Sequence, residues 1–148
     1  MSGRFEGTTV IDRPIDEVFA FLAEGTNDPK FSPRVLEIHK TTDGPPGVGT
    51  RFQSTVKDAG MKTKREFELT EFEAPAKIRW RETSKNLVTA REGGYDLRPA
   101  DGGTEVTIHN VLEGHGLGKL FAGLALSQAR KGADEFAASI KRAVEAET

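Results

Sequence analysis

The sequence predicts an α+β fold in which a curved antiparallel sheet of seven strands wraps around one long terminal helix. Three observations carry this. Six segments between residues 35 and 112 have strand patterning and are joined mostly by short connections, a further strand opens the chain, and helical patterning over about 116–146 closes it. Short loops join antiparallel neighbours. A sheet curved around a single helix leaves room between the two for an internal hydrophobic cavity.

Residues 5–12 form the first expected strand, with Phe5, Gly7, Thr9 and Ile11 sharing one face by the two-residue period. A helix of about ten residues follows. Pro14 suits its first position, Asp16 and Glu17 sit near its positive end, and Ile15, Val18, Phe19 and Leu22 recur at helical spacing. Gly25 ends it. Asp28 and Pro29 read as the cap and first position of a second short helix, which Pro33 keeps from extending. Strands are then expected over 35–41, 50–57, 61–72, 76–83, 86–98 and 104–112, with turns at Ala59-Gly60, Ser84-Lys85 and Asp101-Gly102-Gly103. The Gly- and Pro-rich stretch 43–49 is the one longer irregular connection.

With 148 residues, one domain over 1–148 is expected, able to bury roughly 70% of its unfolded surface. A net charge of −2 gives no reason to expect nucleic acid or an anionic membrane. The absence of cysteine removes disulfides, thiolate chemistry and Cys-ligated zinc. Residues 1–6 lack the apolar run of a signal peptide, and the longest apolar run, 120–126, is too short to span a bilayer. The expectation is a cytoplasmic protein without membrane insertion.

Alternation places Phe52, Ser54, Val56, Phe67, Leu69, Ile78, Trp80, Glu82, Tyr95, Leu97, Val106, Ile108, Asn110 and Leu112 on the face toward the helix. The implied registers pair Phe52 with Phe67, Trp80 with Thr89, and Tyr95 with Ile108. Gly93 then faces Asn110, leaving a gap in the lining. Gly93-Gly94 can instead mark a bulge that changes the parity of Arg91 and everything before it. Glu82, Arg65 and Arg91 either face inward or reach water from strand ends. Trp80 is either core or lining.

The terminal helix divides into two halves. Leu117, Leu120, Phe121, Leu124, Ala125 and Leu126 are apolar nearly all round, whereas beyond them the apolar residues are confined to Ala129, Ala133, Phe136, Ile140 and Val144. The first half therefore needs two covered sides. With Phe31 and the 44–49 loop, it is expected to form a cavity mouth.

Signatures of specific chemistry are missing. Residues 114–119, Gly-His-Gly-Leu-Gly-Lys, fail as a Walker loop at Glu113 and Leu120 and as a dinucleotide fingerprint at Lys119, so no cofactor is expected. His39, His109 and His115 lack metal spacing, and His109 is expected to point outward. No Gly-x-Ser-x-Gly elbow occurs. Lys62, Lys64 and Arg65, followed by Glu66 and Glu68, read as a solvated sheet face and not a nucleic-acid patch.

Ile11-Asp12-Arg13-Pro14 before Glu17-Val18-Phe19, Val48-Gly49-Thr50-Arg51-Phe52, the run Leu69-Thr70-Glu71-Phe72-Glu73-Ala74-Pro75 and Gly102-Gly103-Thr104-Glu105-Val106-Thr107 resemble the polyketide cyclase/dehydrase branch of the START-related helix-grip superfamily. These motifs punctuate the fold and are not catalytic signatures. Phe31-Ser32-Pro33 departs from the pattern, because many relatives carry tryptophan there.

The resemblance implies a hydrophobic cavity and members that include lipid carriers, hormone receptors, quinone-binding proteins and aromatase/cyclases. The expected function is binding or carriage of a polyketide, lipid or quinone-like molecule by a monomer or homodimer. The expected ligand-binding set is Phe31, Phe52, Ser54, Phe67, Leu69, Trp80, Tyr95, Ile108, Asn110, Leu117, Phe121 and Leu124. One alternative is a cyclase or dehydratase with Tyr95, Arg91 and Glu82 as candidate proton-transfer groups. Another is an interaction protein using the apolar half of the last helix.

Overall fold

The computed structural model describes residues 2–58 and 60–147. The chain runs β1 (Ser2–Ile11), α1 (Ile15–Ala23), a 3-10 helix (Gly25–Lys30), β2 (Val35–Lys40), β3 (Arg51–Asp58), β4 (Met61–Glu73), β5 (Lys77–Glu82), β6 (Val88–Ala100), β7 (Gly103–Gly114) and α2 (Gly118–Glu145). All seven strands join one antiparallel sheet in the order β1-β7-β6-β5-β4-β3-β2. From β2 onward each strand pairs with its successor, and β7 closes back on β1. Breaks in register between Val35 and Glu37, Leu69 and Glu71, and Ala90 and Glu92 are where the strands bend.

The two small helices differ from expectation in detail. Pro14 is the N-cap of α1, with extended ψ 149, and Ile15 begins the helix. Asp28 and Pro29 lie inside the 3-10 helix, whose N-cap is Glu24. The Asp28 carbonyl accepts from the backbone N–H groups of Phe31 and Ser32 at 3.1 and 2.9 Å, so it closes that helix and does not open a new one.

Phe52 pairs with Phe67, Tyr95 with Ile108, and Gly93 with Asn110, all as the alternation requires. Of the β3–β4 turn, Gly60 has φ +81, which glycine adopts without strain; Ala59 lies outside the described residues. Trp80 pairs with Gly93 and not with Thr89. The expected two-residue turn at Ser84-Lys85 is replaced by a longer connection, because the Glu82 carboxylate gathers Ser84 Oγ, Asn86 Nδ2 and the Ala90 N–H onto itself. The bulge in β6 falls at Arg91, so Gly93 and Gly94 pair regularly with Asn110 and His109.

Helix α2 begins beside the β7 end and runs along β1 and β7. Glycines make this approach possible. A Cβ at Gly7 would collide with the Ala133 carbonyl, and one at Gly114 with the Gly118 carbonyl. Ile11, Val18, Leu22, Ile78, Leu97, Val106, Ile108, Ile140 and Val144 are buried between sheet and helices. Phe19 meets Phe72 edge-on at 5.2 Å, and the Asp12 N–H and Arg13 Nη2 bond the Glu145 carboxylate and carbonyl at 2.8 and 2.6 Å. These contacts seal the α2 C-terminus against the β1 end.

Candidate functional site

The concave face is solid at one end and open at the other. Near the α2 C-terminus, Ile78, Tyr95 and Ile108 form a cross-strand row that is at most 5% exposed. One row toward the other end, Leu69, Trp80, Gly93, Asn110 and Phe5 lie side by side, and Trp80, Asn110 and Phe5 are only half-buried. Phe67 in the next row is half-buried as well. Inward-facing residues that meet solvent border a cleft. It exists because α2 hugs β1 and β7 and leaves the middle strands uncovered at this end.

Trp80 packs edge-on against Tyr95 at 5.0 Å, so one side of the indole belongs to the core and the rest to the cleft. Gly93 leaves no empty gap. A Cβ there would collide with Asn110 Oδ1 and Trp80 Nε1, which places the amide and the indole N–H together over that glycine. Both are hydrogen-bonding groups on half-buried side chains of the concave face.

A buried ion pair sits in the following rows. The Glu82 side chain is 0% exposed and Arg65 16%. Arg65 Nη1 donates to both Glu82 oxygens at 3.0 Å and to the Val88 carbonyl at 3.1 Å. Ser84 Oγ, Asn86 Nδ2 and the Ala90 N–H donate to the same carboxylate at 2.7, 2.7 and 2.9 Å. Glu82 and Arg65 therefore satisfy each other inside, and neither is a strand-end charge stretched into water. Lys62 and Lys64 do remain exposed on the other face. Arg91, as the bulge residue, is exposed.

Of the other expected site residues, Phe52, Ser54, Leu69, Tyr95 and Ile108 are buried on the concave face. Phe31 is buried elsewhere, between Phe21 and Phe136 with ring distances of 6.3 and 5.8 Å. Fifteen residues separate Phe136 from Phe121, about 22 Å along a helix. The 44–49 loop is anchored in line with the cleft row, where the Gly49 N–H bonds the Leu69 carbonyl. Phe31 therefore stands apart from the early helix, so the expected mouth of Phe31, that loop and the early helix is not assembled as one unit. Leu117, Phe121 and Leu124 are 69%, 54% and 63% exposed.

Sequence reasoning missed Asp28. The 3-10 helix lies over the concave face, with Gly25 against the Phe52 ring. Asp28 there is close enough to Tyr95 for its charge to act on the phenol. Burial raises the Asp28 carboxyl to about 7. Burial first, and then the Asp28 charge, push the Tyr95 phenol well up. An Asp before Pro reads locally as a cap, and only the tertiary position of the 3-10 helix distinguishes the two roles.

The convex face carries separate polar chemistry. His109 is 1% exposed beneath Arg79 and Glu92, and its Nε2 lies 2.9 Å from Glu92 Oε1. That hydrogen bond holds the Glu92 carboxyl below its usual range. Arg79 pairs with Asp96 at 2.8 Å, Arg98 with Glu105 at 2.6 Å, and a depression of about 480 Å³ between Glu73, Asp96 and Glu105 opens beside them, away from the cleft. Among the described residues no cluster of three or more His, Asp or Glu could hold a metal, and no helix is long and apolar enough to cross a membrane.

A seven-stranded antiparallel sheet gripping a C-terminal helix defines a helix-grip protein. The chain belongs to the family described as polyketide cyclase / dehydrase and lipid transport, whose sequence model matches residues 2–145. It is similar in fold to TTHA0849 from Thermus thermophilus, with TM-score 0.79, 17% identity, and coverage of 97% of this chain and 98% of that one. It is likewise similar to the Zhui aromatase/cyclase of a Streptomyces species, with TM-score 0.76, 17% identity, and coverage of 98% and 94%. The structure of Ara h 8.0201 matches with TM-score 0.67, at 17% identity over 99% and 100% of the two chains. No curated protein matches the sequence.

Proposed function

We propose that the protein binds a lipophilic small molecule of polyketide, lipid or quinone type in the open half of its concave face. The observation that carries this reading is the solvent exposure of Phe67, Trp80 and Asn110 on the face that elsewhere forms the core. Aromatic surface would supply affinity, while the Trp80 N–H and the Asn110 amide would orient a ligand carbonyl or hydroxyl. Family membership supports the same reading.

Trp80 is the only tryptophan, so its emission reports on the cleft. Titration with oleate, a short-tailed quinone and an anthraquinone should change that emission for at least one ligand class and raise Tm. Saturation at a hundredfold excess over Kd adds about 2.7 kcal/mol of stability. Unchanged emission and Tm with all three would refute the proposal.

Asp28 beside Tyr95 favours a second reading, a cyclase or dehydratase. A carboxyl raised to about 7 can accept and return a proton at neutral pH, and a phenol pushed upward stays protonated as a donor. Confinement of a flexible poly-β-ketone would do the remainder. Asp28→Asn should then abolish turnover while ligand-induced changes in Trp80 emission persist; unchanged turnover would remove Asp28 from the chemistry.

A further inference from the structure

Leu117, Leu120, Phe121 and Leu124 follow the i, i+3, i+4, i+7 spacing and are 69%, 76%, 54% and 63% exposed. At 3.6 residues per turn, this stripe centres roughly 150° around α2 from Gly118, Ala122 and Leu126, which are buried toward β1 and β7. It therefore points away from the sheet and is no wall of the cleft. Leu87, 57% exposed, meets the start of α2, where its carbonyl accepts the His115 N–H at 2.8 Å and abuts Gly118. Four large apolar side chains thus stand together on one face of α2 where the core has no use for them.

The charges around them are mainly positive. Residues 83–91 and 114–133 contain Lys85, Arg91, Lys119, Arg130 and Lys131, all exposed, and no Asp or Glu, while the flanking carboxylates Glu82, Glu92 and Glu113 lie against Arg65, His109 and His115. Among the described residues, no carboxylate pairs with Lys85, Arg91 or Lys119. Exposed arginines elsewhere are paired, as Arg4 is with Glu6, Arg81 with Glu68 and Arg142 with Glu135. The overall charge of −2 conceals this local asymmetry. A second copy docked through the same face by a two-fold axis would bring cations against cations. An anionic lipid surface complements both the apolar stripe and its rim.

We propose that this face docks reversibly on an anionic membrane. The leucines and Phe121 enter the boundary between headgroups and acyl chains, Lys85, Arg91 and Lys119 lie among the phosphates, and nothing spans the bilayer. The docking does not depend on what the cleft holds, and it gives a lipid-facing surface to the same end of the sheet at which the cleft is open.

Vesicle flotation of the full chain tests this. The protein should float with vesicles of about one-third phosphatidylglycerol in phosphatidylcholine, stay behind with phosphatidylcholine alone, and be released at about 1 M salt, where charges are screened within a few ångströms. Leu120→Asp should abolish flotation, and Lys119→Glu should weaken it at least about fivefold. Both variants should keep the wild-type Tm and any ligand response of Trp80, which separates failure here from failure of the cleft proposal. Flotation that is absent, or unaltered in Leu120→Asp, overturns the proposal. So does a concentration-dependent dimer that Leu120→Asp dissolves, because the patch would then belong to a second copy.

Discussion

Helix α2 has its more hydrophobic half outside and its more charged half inside. From Ala133 to Val144 the buried residues are Ala133, Ala137, Ile140 and Val144, whereas Leu117, Leu120, Phe121 and Leu124 are exposed. Hydropathy did not decide between them. What decides is close approach: Gly7 lets the Ala133–Ala137 turn press onto β1, after which Ile140 and Val144 reach the core formed by Ile11, Ile78 and Val106. In the first half Gly118, Ala122 and Leu126 face the sheet, while Leu117, Leu120, Phe121 and Leu124 face outward. The same division runs across the concave face, which is filled beside Tyr95 and open beside Trp80.

The sharpest test of the open end is its buried ion pair. Glu82→Ala should cost about 3 to 5 kcal/mol in urea unfolding, because Arg65 keeps its inward position without its carboxylate. Replacing both partners with apolar residues, Arg65→Met with Glu82→Leu, should recover most of that loss. A loss under about 1 kcal/mol in the single variant would mean that Arg65 swings out to water and that this end of the sheet is looser than its hydrogen bonds suggest.

A matched pair of truncations compares the two halves of the helix directly. Ile140→Ala removes volume at a site 1% exposed and should cost about 2 to 5 kcal/mol. Leu124→Ala, 63% exposed, should stay within about 0.5 kcal/mol. Equal costs would show that the outer stripe is covered in solution and would erase the contrast.

The difference in legibility between fold and site has a physical cause. Strand periodicity and Gly/Pro punctuation are local, so all seven strands and both long pairings, Phe52 with Phe67 and Tyr95 with Ile108, could be read from the sequence. The β5–β6 pairing could not. It depends on a side chain, Glu82, collecting its own loop, and Trp80 consequently meets Gly93 four residues beyond Thr89. The inward face of Trp80 and Asn110 was legible by parity, but their partial exposure depends on where α2 rests across the sheet. Asp28 was invisible for the same reason, since nothing in Asn27-Asp28-Pro29 says which surface the 3-10 helix covers.

The last expected effect concerns pH and belongs to the closed half, through Asp28 at the edge of the Tyr95 core. Its folded value of about 7 stands above the 3.8 of the unfolded chain. The stability it contributes is therefore fully present below about pH 4 and is lost as pH rises through about 7. Glu68, Glu92, Glu105 and Glu145 act with the opposite sign. Hydrogen bonds from Arg81, His109, Arg98 and Lys141 lower them, so their contributions are present above about pH 4.5 and disappear in acid. Stability should consequently peak on the acid side of neutrality, and urea unfolding from pH 5 to pH 8 should show a decline that Asp28→Asn removes. A ligand filling the cleft without touching Asp28 should raise the whole curve and leave its slope, whereas a ligand that bonds the protonated carboxyl should steepen it. The slope thus tells whether the open half and the Asp28 edge of the closed half act as one site.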